Sequence, residues 1–563
     1  MGADPGLYPW LLRIRDVDAR VLGAGMLLGS QHVLTCAHVI MDAPGCSPGV
    51  AGGTPFGKVV VDFVGIPGAE SATATVLPDC FAPPRDDERG DVALLELDRP
   101  RRGGTGTPLR RMPPRLKREV HTLGFPDGLQ HGMWVPATLT LRCGPDGEWM
   151  QMNTTAAGGQ VVRGFSGAGV VDNETGNVIG MVVSHYSDKA AGLSWMLPVE
   201  TIIRHVPKVA DWVSGDKAVD ESFGRPLGPS VPDRALSQEV TNFLIHPGTE
   251  RLKTVVTGGH DSASSAALRL AVALSDPERS KATDEVLADA LPGATPPLGS
   301  VDLAVNATDK TAAEVAARIA DRTGIQVDNL GRPDREVART PSMTLVVDAV
   351  DDAADPDQLV DEVLAPIARR AAELGIRLIL AFRRESSAGL RTLREIEATE
   401  RLGRVTTLAN ELAAAEEKAR HRYAYVASRV TAAPVVTIRA PRYLSALGGL
   451  RAADDRRDLA WVLAWLGSCE RKIIRDLSEV TRTDRRLSEL LARRGDLRGR
   501  LDSYKAMAAD HDLAEDLRLA GLYRKAWELL WWAPCDLSVA DAAVGRYAQA
   551  VRQRCVPGGE DIR

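Results

Sequence analysis

Residues 158–171 read Gly-Gly-Gln-Val-Val-Arg-Gly-Phe-Ser-Gly-Ala-Gly-Val-Val, a serine set among glycines ahead of a valine-rich run. Glycine accepts backbone angles that other residues resist, so the pattern predicts that Ser166 stands exposed on a tight turn. The backbone N–H groups of Gly164 and Ser166 would then point at one spot, as a charge-stabilising oxyanion hole requires. A glycine-rich hairpin turn without chemistry would read the same way, so the rest of the chain has to decide.

Two earlier segments bear on it. Residues 33–39 are Val-Leu-Thr-Cys-Ala-His-Val, and residues 90–97 are Gly-Asp-Val-Ala-Leu-Leu-Glu-Leu. Each places one proton-handling residue, His38 or Asp91, at the margin of an apolar, strand-like run. Alone, the histidine would pass for a core residue and the aspartate for a turn residue. Together with Ser166 they follow the order His, Asp, Ser, one of the chain orders in which a catalytic triad occurs.

With these three motifs, residues 1 to about 210 resemble a trypsin-like (chymotrypsin-fold) serine protease. Thr-Cys-Ala-His corresponds to the histidine motif, Asp-Val-Ala-Leu-Leu to the aspartate motif and Gly-Phe-Ser-Gly to the nucleophile motif. The run Val178–Ser184 resembles the strand that lines the substrate cleft. The resemblance implies an all-β double barrel with the cleft between the barrels, His38, Asp91 and Ser166 as the triad, and a protein or peptide substrate. Apolar runs at 21–28, 58–64, 92–97, 119–124, 134–142 and 178–184, punctuated by Gly and Pro, suit such a fold.

The sequence departs from the family twice. Phe165 stands where digestive members carry the aspartate that receives the new N-terminus after zymogen cleavage, and the Ile-Val-Gly-Gly start is missing. That switch is therefore closed to this chain. Either the oxyanion loop is always formed or another domain sets it, and the multidomain layout favours the second. Gln160 stands where trypsin has its pocket-bottom aspartate, so strict cleavage after Lys or Arg is not expected. A polar specificity pocket of Gln160, Ser184 and His185 is the expectation.

At 563 residues the chain calls for several domains, and 44% hydrophobic residues can build their cores. A net charge of −6 gives no electrostatic reason to expect nucleic acid. No apolar run long enough to span a membrane is visible, nor a basic-then-apolar leader, and Gly6 stands where a myristoylation motif wants Ser or Thr. The seven scattered cysteines lack Cys-x-x-Cys spacing, which argues against disulfides or a metal site and for a reducing, cytoplasmic setting. The Ala, Arg and Gly richness resembles proteins of high-GC bacteria.

After a Pro- and Gly-rich linker at 211–235, strands and helices alternate. Strands are predicted at 252–257, 300–305, 344–348 and 377–382, with helices between them, which argues for a three-layer α/β domain over 236–430 with a parallel sheet. This block resembles a P-loop NTPase core of the STAND type. In the loop Gly258-Gly259-His260-Asp261-Ser262-Ala263-Ser264-Ser265, however, Ser264 takes the place of the phosphate-binding lysine. Ser265 would be the Mg²⁺ ligand and Asp348 the acid at the end of the third strand. The expectation is a degenerate domain without ATP hydrolysis, leaving room for weak ATP and Mg²⁺ binding through Gly258, Gly259, Ser264, Ser265 and Asp348.

Residues 431–563 read as all-α. Ile473, Leu477, Val480, Leu487 and Leu491 fall on helical steps broken by Asp484, a buried face or a coiled-coil seam. Residues 528–535, Glu-Leu-Leu-Trp-Trp-Ala-Pro-Cys, read as core packing. The segment resembles C-terminal helical modules of actinobacterial signalling proteins, which implies a regulatory partner bound through these helices. The functional expectation is an intracellular bacterial serine endopeptidase under the control of its other domains. The alternatives are a catalytically silent protease-like scaffold that binds peptides and an ATP-driven machine. The protein substrate, the activating signal and the oligomeric state are not encoded legibly.

Overall fold

The short apolar runs of the first half become two β-barrels. The computed structural model describes residues 8–46, 57–101, 106–111, 117–127, 129–154, 159–185, 193–224, 231–245, 250–279, 295–325, 343–451 and 458–555. Leu11–Arg15, Val21–Leu28, His32–Thr35, Val59–Asp62, Ala72–Ala82 and Val92–Leu97 close the first barrel. Glu119–Gly124, Met133–Cys143, Trp149–Thr154, Gly169–Asp172, Val178–His185 and Leu193–Pro198 form the second, which the pairing of Gly169–Asp172 with Val178–His185 closes. All these pairings are antiparallel, as a chain of hairpins dictates. One continuous core runs through both, from Trp10 and Leu12 to Met181 and Leu197.

The chain then passes into a parallel sheet. Leu252–Val256, Leu303–Asn306, Met343–Asp348 and Ile376–Phe382 are the four strands, and the last lies between the first and the third. Side chains alternate across the sheet, so each strand feeds two cores. Leu378, Leu380 and Phe382 face the helix Ala312–Thr323 and the helical run up to Leu374, while Ile379 and Ala381 face the helices Arg234–Ile245 and Ala263–Ser275. The expected three layers are formed. Part of the expected 211–235 linker is built into the fold: Val213–Ser214 pairs with Leu109–Arg110 beside the second barrel, and Val219 bridges Ala304 at the parallel sheet.

Barrels and sheet form one compact unit, residues 1–396, and residues 397–563 form another. The division falls well before the expected boundary at 430, inside the helix Ala388–Ala427. In the first unit the second barrel meets the α/β layer through buried charge. Glu200, 1% exposed, lies in ion-pair contact with Arg322, 2% exposed, at 2.7 Å. Arg111 holds Glu278 through Nε at 2.6 Å.

The second unit is helical. On Leu459–Asp510, Ile473, Val480 and Leu487 are buried, with Leu477 and Leu491 partly so. The break at Asp484 is an ion pair with Arg422 at 3.0 Å. The stretch 528–535 is only in part the core expected of it. Leu530 and Cys535 are buried, but Trp532 is 74% exposed and Trp531 stacks on Trp527 under the Arg498 guanidinium. All seven cysteines are unpaired. Among the described residues no helix is long and apolar enough to cross a membrane.

Candidate active site

His38 is fixed by its own backbone as much as by its ring. It sits in the helix Ala37–Met41, which follows strand His32–Thr35 at once, so strand end and helix start set its position. Asp91 precedes strand Val92–Leu97, the neighbour of His32–Thr35 in the first barrel. Its φ of 67° is left-handed, a conformation that Asp accepts more readily than most residues. From there one carboxylate oxygen accepts the His38 backbone N–H at 2.9 Å and the other meets His38 Nδ1 at 2.7 Å. Two contacts to one carboxylate leave the ring a single orientation, and among the described residues Nε2 has no hydrogen-bond partner.

Charge follows from that geometry. Burial of the ring works against the imidazolium, but the Asp91 hydrogen bond and charge, with help from Asp42, raise the His38 pKa above the ordinary histidine value. Arg163 pulls the other way. Cys36 lies close to both, its Sγ within 4.8 Å of their ligand-type atoms. Burial and the Asp91 charge push its thiol well up, and Sγ donates to the Val182 carbonyl at 3.2 Å. A protonated, hydrogen-bonded thiol is a poor metal ligand and a poor nucleophile. The cluster is therefore suited to moving a proton.

Ser166 comes from the second barrel. Its carbonyl accepts the N–H of Ala24 at 2.8 Å, which ties the nucleophile loop to strand Val21–Leu28 of the first barrel. Next to it, Gly167 has φ 87°, and a Cβ there would stand 2.1 Å from the Ala24 carbonyl oxygen. The loop begins with a turn closed by Phe165 N–H donating to the Val162 carbonyl at 3.2 Å. Gly164, third in that turn with φ 102°, supplies the positive angle of a type II turn. A side chain is excluded, because its Cβ would fall 2.2 Å from the Phe125 oxygen. Among the described residues neither the Gly164 nor the Ser166 N–H donates to a protein acceptor. Two unpaired donors beside a serine hydroxyl suit a developing oxyanion.

Phe165, between them, is fully buried, and its ring fills the space above Gly124 that a side chain would need. Hydrophobic burial thus anchors the loop where an ion pair to a new N-terminus would do so in a zymogen-derived enzyme. This favours the preformed loop over the expectation that another domain sets it. Among the described residues, no hydrogen bond joins Ser166 Oγ to His38 Nε2. Without substrate, such bonds are often long or misaligned.

Of the expected specificity pocket, Gln160 lies half-buried at the start of the loop, and Ser184 and His185 end the strand Val178–His185. The segments 155–158 and 186–192 on either side lie outside the described residues.

The loop at 258–265 follows strand Leu252–Val256, with Gly258 at φ 69°. Ser262 caps the helix Ala263–Ser275 by accepting the Ser265 N–H, and Ser264 donates to Asp233 at 3.4 Å. Sequence reasoning missed Arg383, at the end of the fourth strand. Its guanidinium donates to Ser265 Oγ at 3.1 Å, Thr257 Oγ1 at 3.0 Å and Asp348 Oδ2 at 2.8 Å. The oxygens expected to hold Mg²⁺ thus already share one cation. Burial pushes the Asp348 carboxyl up, and Arg383 draws it back. The pair Arg383-Arg384 after an apolar strand was the available signal.

Residues 23–181 match the family described as the trypsin-like peptidase domain. No curated protein matches the chain. Solved structures resemble part of it, among them the following three. An inactive serine-to-alanine mutant of Rv3671c from M. tuberculosis shares 20% identity over 38% of this chain and 96% of that one, with a TM-score of 0.27. The serine endoprotease from Yersinia pestis shares 17% identity over 36% of this chain and 62% of that one, with a TM-score of 0.26. The HtrA-type protease AlgW, with a decapeptide, shares 15% identity over 38% of this chain and 69% of that one, with a TM-score of 0.27.

Proposed function

We propose that the chain is a serine endopeptidase acting on protein or peptide substrates. Ser166 Oγ attacks the carbonyl carbon and His38 takes its proton. The N–H groups of Gly164 and Ser166 hold the oxyanion. His38 then gives the proton to the leaving amine, and water repeats the sequence on the acyl-enzyme. The observation that carries this reading is the double hold of Asp91 on His38, which serves one tautomer and one ring orientation. Cleavage of an unfolded protein such as casein, lost in Ser166→Ala and retained at full rate by Asp348→Asn, is the expected result. Equal cleavage by Ser166→Ala would overturn the reading.

A second reading has an observation on its side. The missing Ser166–His38 hydrogen bond suits a catalytically silent scaffold whose cleft holds a peptide. Such a scaffold would bind casein peptides without turnover. Turnover by the full chain excludes it.

The α/β domain serves the protease as a structural partner in this reading, held by Glu200–Arg322 and Arg111–Glu278, with Arg383 standing where Mg²⁺ would bind. ATP hydrolysis has no part in it. The finer assignment is a bacterial intracellular sensor and effector whose C-terminal helices bind a regulatory protein. A pull-down with residues 397–563 deleted from the full chain tests that last step, and unchanged partners would count against it.

A further inference from the structure

The loop that carries Ser166 also carries a cation that the chemistry above does not use. Arg163 is the second residue of the Val162–Phe165 turn, and its side chain is 67% exposed. Its guanidinium reaches from the nucleophile loop to Asp42 at 3.4 Å, and Asp42 is itself 49% exposed. Asp42 directly follows the His38 helix, with its N–H on the His38 carbonyl at 2.9 Å. One ion pair therefore spans from the nucleophile loop of the second barrel to the histidine helix of the first.

That placement fixes which part of a substrate would meet it. The residues after the scissile bond leave as an amine, and the amine takes its proton from His38. The departing segment therefore runs past the His38 helix, where Asp42 and Arg163 lie. Arg20 stands on the same rim, but it is committed: Nη2 donates to the Asp42 carbonyl at 2.8 Å and Nε to Asp16 at 3.1 Å. Among the described residues the Arg163 guanidinium makes one long contact, to Asp42, and has further N–H groups to give. A guanidinium can serve two carboxylates at once, as Arg89 does here with Asp87 and Asp146.

Resting on the endopeptidase reading, we infer that Arg163 selects substrates with an Asp or Glu in the first two positions after the cleaved bond. The substrate carboxylate joins or displaces Asp42. Exposed ion pairs are weak, so the preference is modest, roughly three- to tenfold in kcat/KM.

The test uses the full chain and internally quenched peptides with mixed residues before the scissile bond and Glu, Gln or Lys in the two positions after it. Wild type should prefer Glu over Gln by about threefold to tenfold, with Lys last. Arg163→Gln should level the three within that variant, and Arg163→Glu should invert the order to favour Lys. A merely structural role for Arg163 would not invert with charge. A flat wild-type profile, or an acidic preference that survives Arg163→Glu, would overturn the inference. Fluorophosphonate labelling of wild type separates the two levels. Labelling at Ser166 with a flat profile sinks only the role of Arg163, while neither labelling nor cleavage sinks the endopeptidase reading and this inference with it.

Discussion

The ring of Phe165 lies so close over Gly124 that a Cβ at Gly124 would be 2.3 Å from its Cγ. An aromatic wedge thus sits in sequence between Gly164 and Ser166, the residues whose N–H groups are proposed to hold the oxyanion, with its burial complete. Phe165→Ala would leave a cavity and lose about 3–5 kcal/mol. It should also free the loop, so reactivity toward a serine-directed probe should fall more than tenfold under conditions where the fold persists. Thermal unfolding and labelling rate, measured on one preparation, check both. A variant destabilised as expected but fully reactive would show that the loop does not need its anchor.

The pH profile follows from Asp91. His38 is raised above its ordinary value of about 6.5 and acts as a base only when neutral. Activity should therefore fall on the acid side with a midpoint above 6.5. In linkage terms, the folded state holds this proton more tightly than the unfolded chain. The associated stabilisation is present below pH ~6.5 and lost as pH rises through the folded pKa. Asp91→Asn removes the countercharge, so the midpoint should move down and kcat drop by roughly 10⁴. The kcat/KM profiles of wild type and variant between pH 5 and 9 decide it.

The contact between the second barrel and the α/β layer is open to direct test. Arg322→Ala removes the cation in contact with the buried Glu200, leaving only the nearby Arg142 to offset its charge, and should destabilise the first unit by up to about 3–5 kcal/mol. The double change Arg322→Met with Glu200→Gln should recover much of that loss. Urea unfolding followed by tryptophan fluorescence reports it, since Trp149 and Trp195 lie in the second barrel. An unchanged midpoint in Arg322→Ala would mean that the pair contributes nothing.

At the end of the parallel sheet, Arg383 predicts a negative result. Millimolar ATP with Mg²⁺ should leave the melting temperature of the full chain where it is. A ligand bound only by the folded state at a hundred times its Kd would stabilise by about 2.7 kcal/mol, which a melting curve resolves. An upward shift that needs Mg²⁺ would show that the guanidinium gives way.

What could be read from the chain depended on how local the signal was. His38, Asp91 and Ser166 each carry a short motif, and the barrels bring the three motifs together. The four strands of the parallel sheet were legible because Val255, Val346 and Ile379 stand in runs too apolar for a surface. Arg383 was not, because an arginine after a strand says nothing of Ser265 until the strand order places them side by side. The helix Ala388–Ala427 has no clear apolar stripe, its charged residues being spread around it, and the expected boundary at 430 falls just past its end while the compact units divide inside it. Trp532 was misjudged because an aromatic run does not tell which of its members faces water.

The most direct test of the central claim is labelling of the full chain with a fluorophosphonate, followed by identification of the modified residue. The account predicts one adduct per chain on Ser166, absent in Ser166→Ala and strongly slowed in His38→Ala. An adduct elsewhere, or labelling that survives His38→Ala at the wild-type rate, would contradict it.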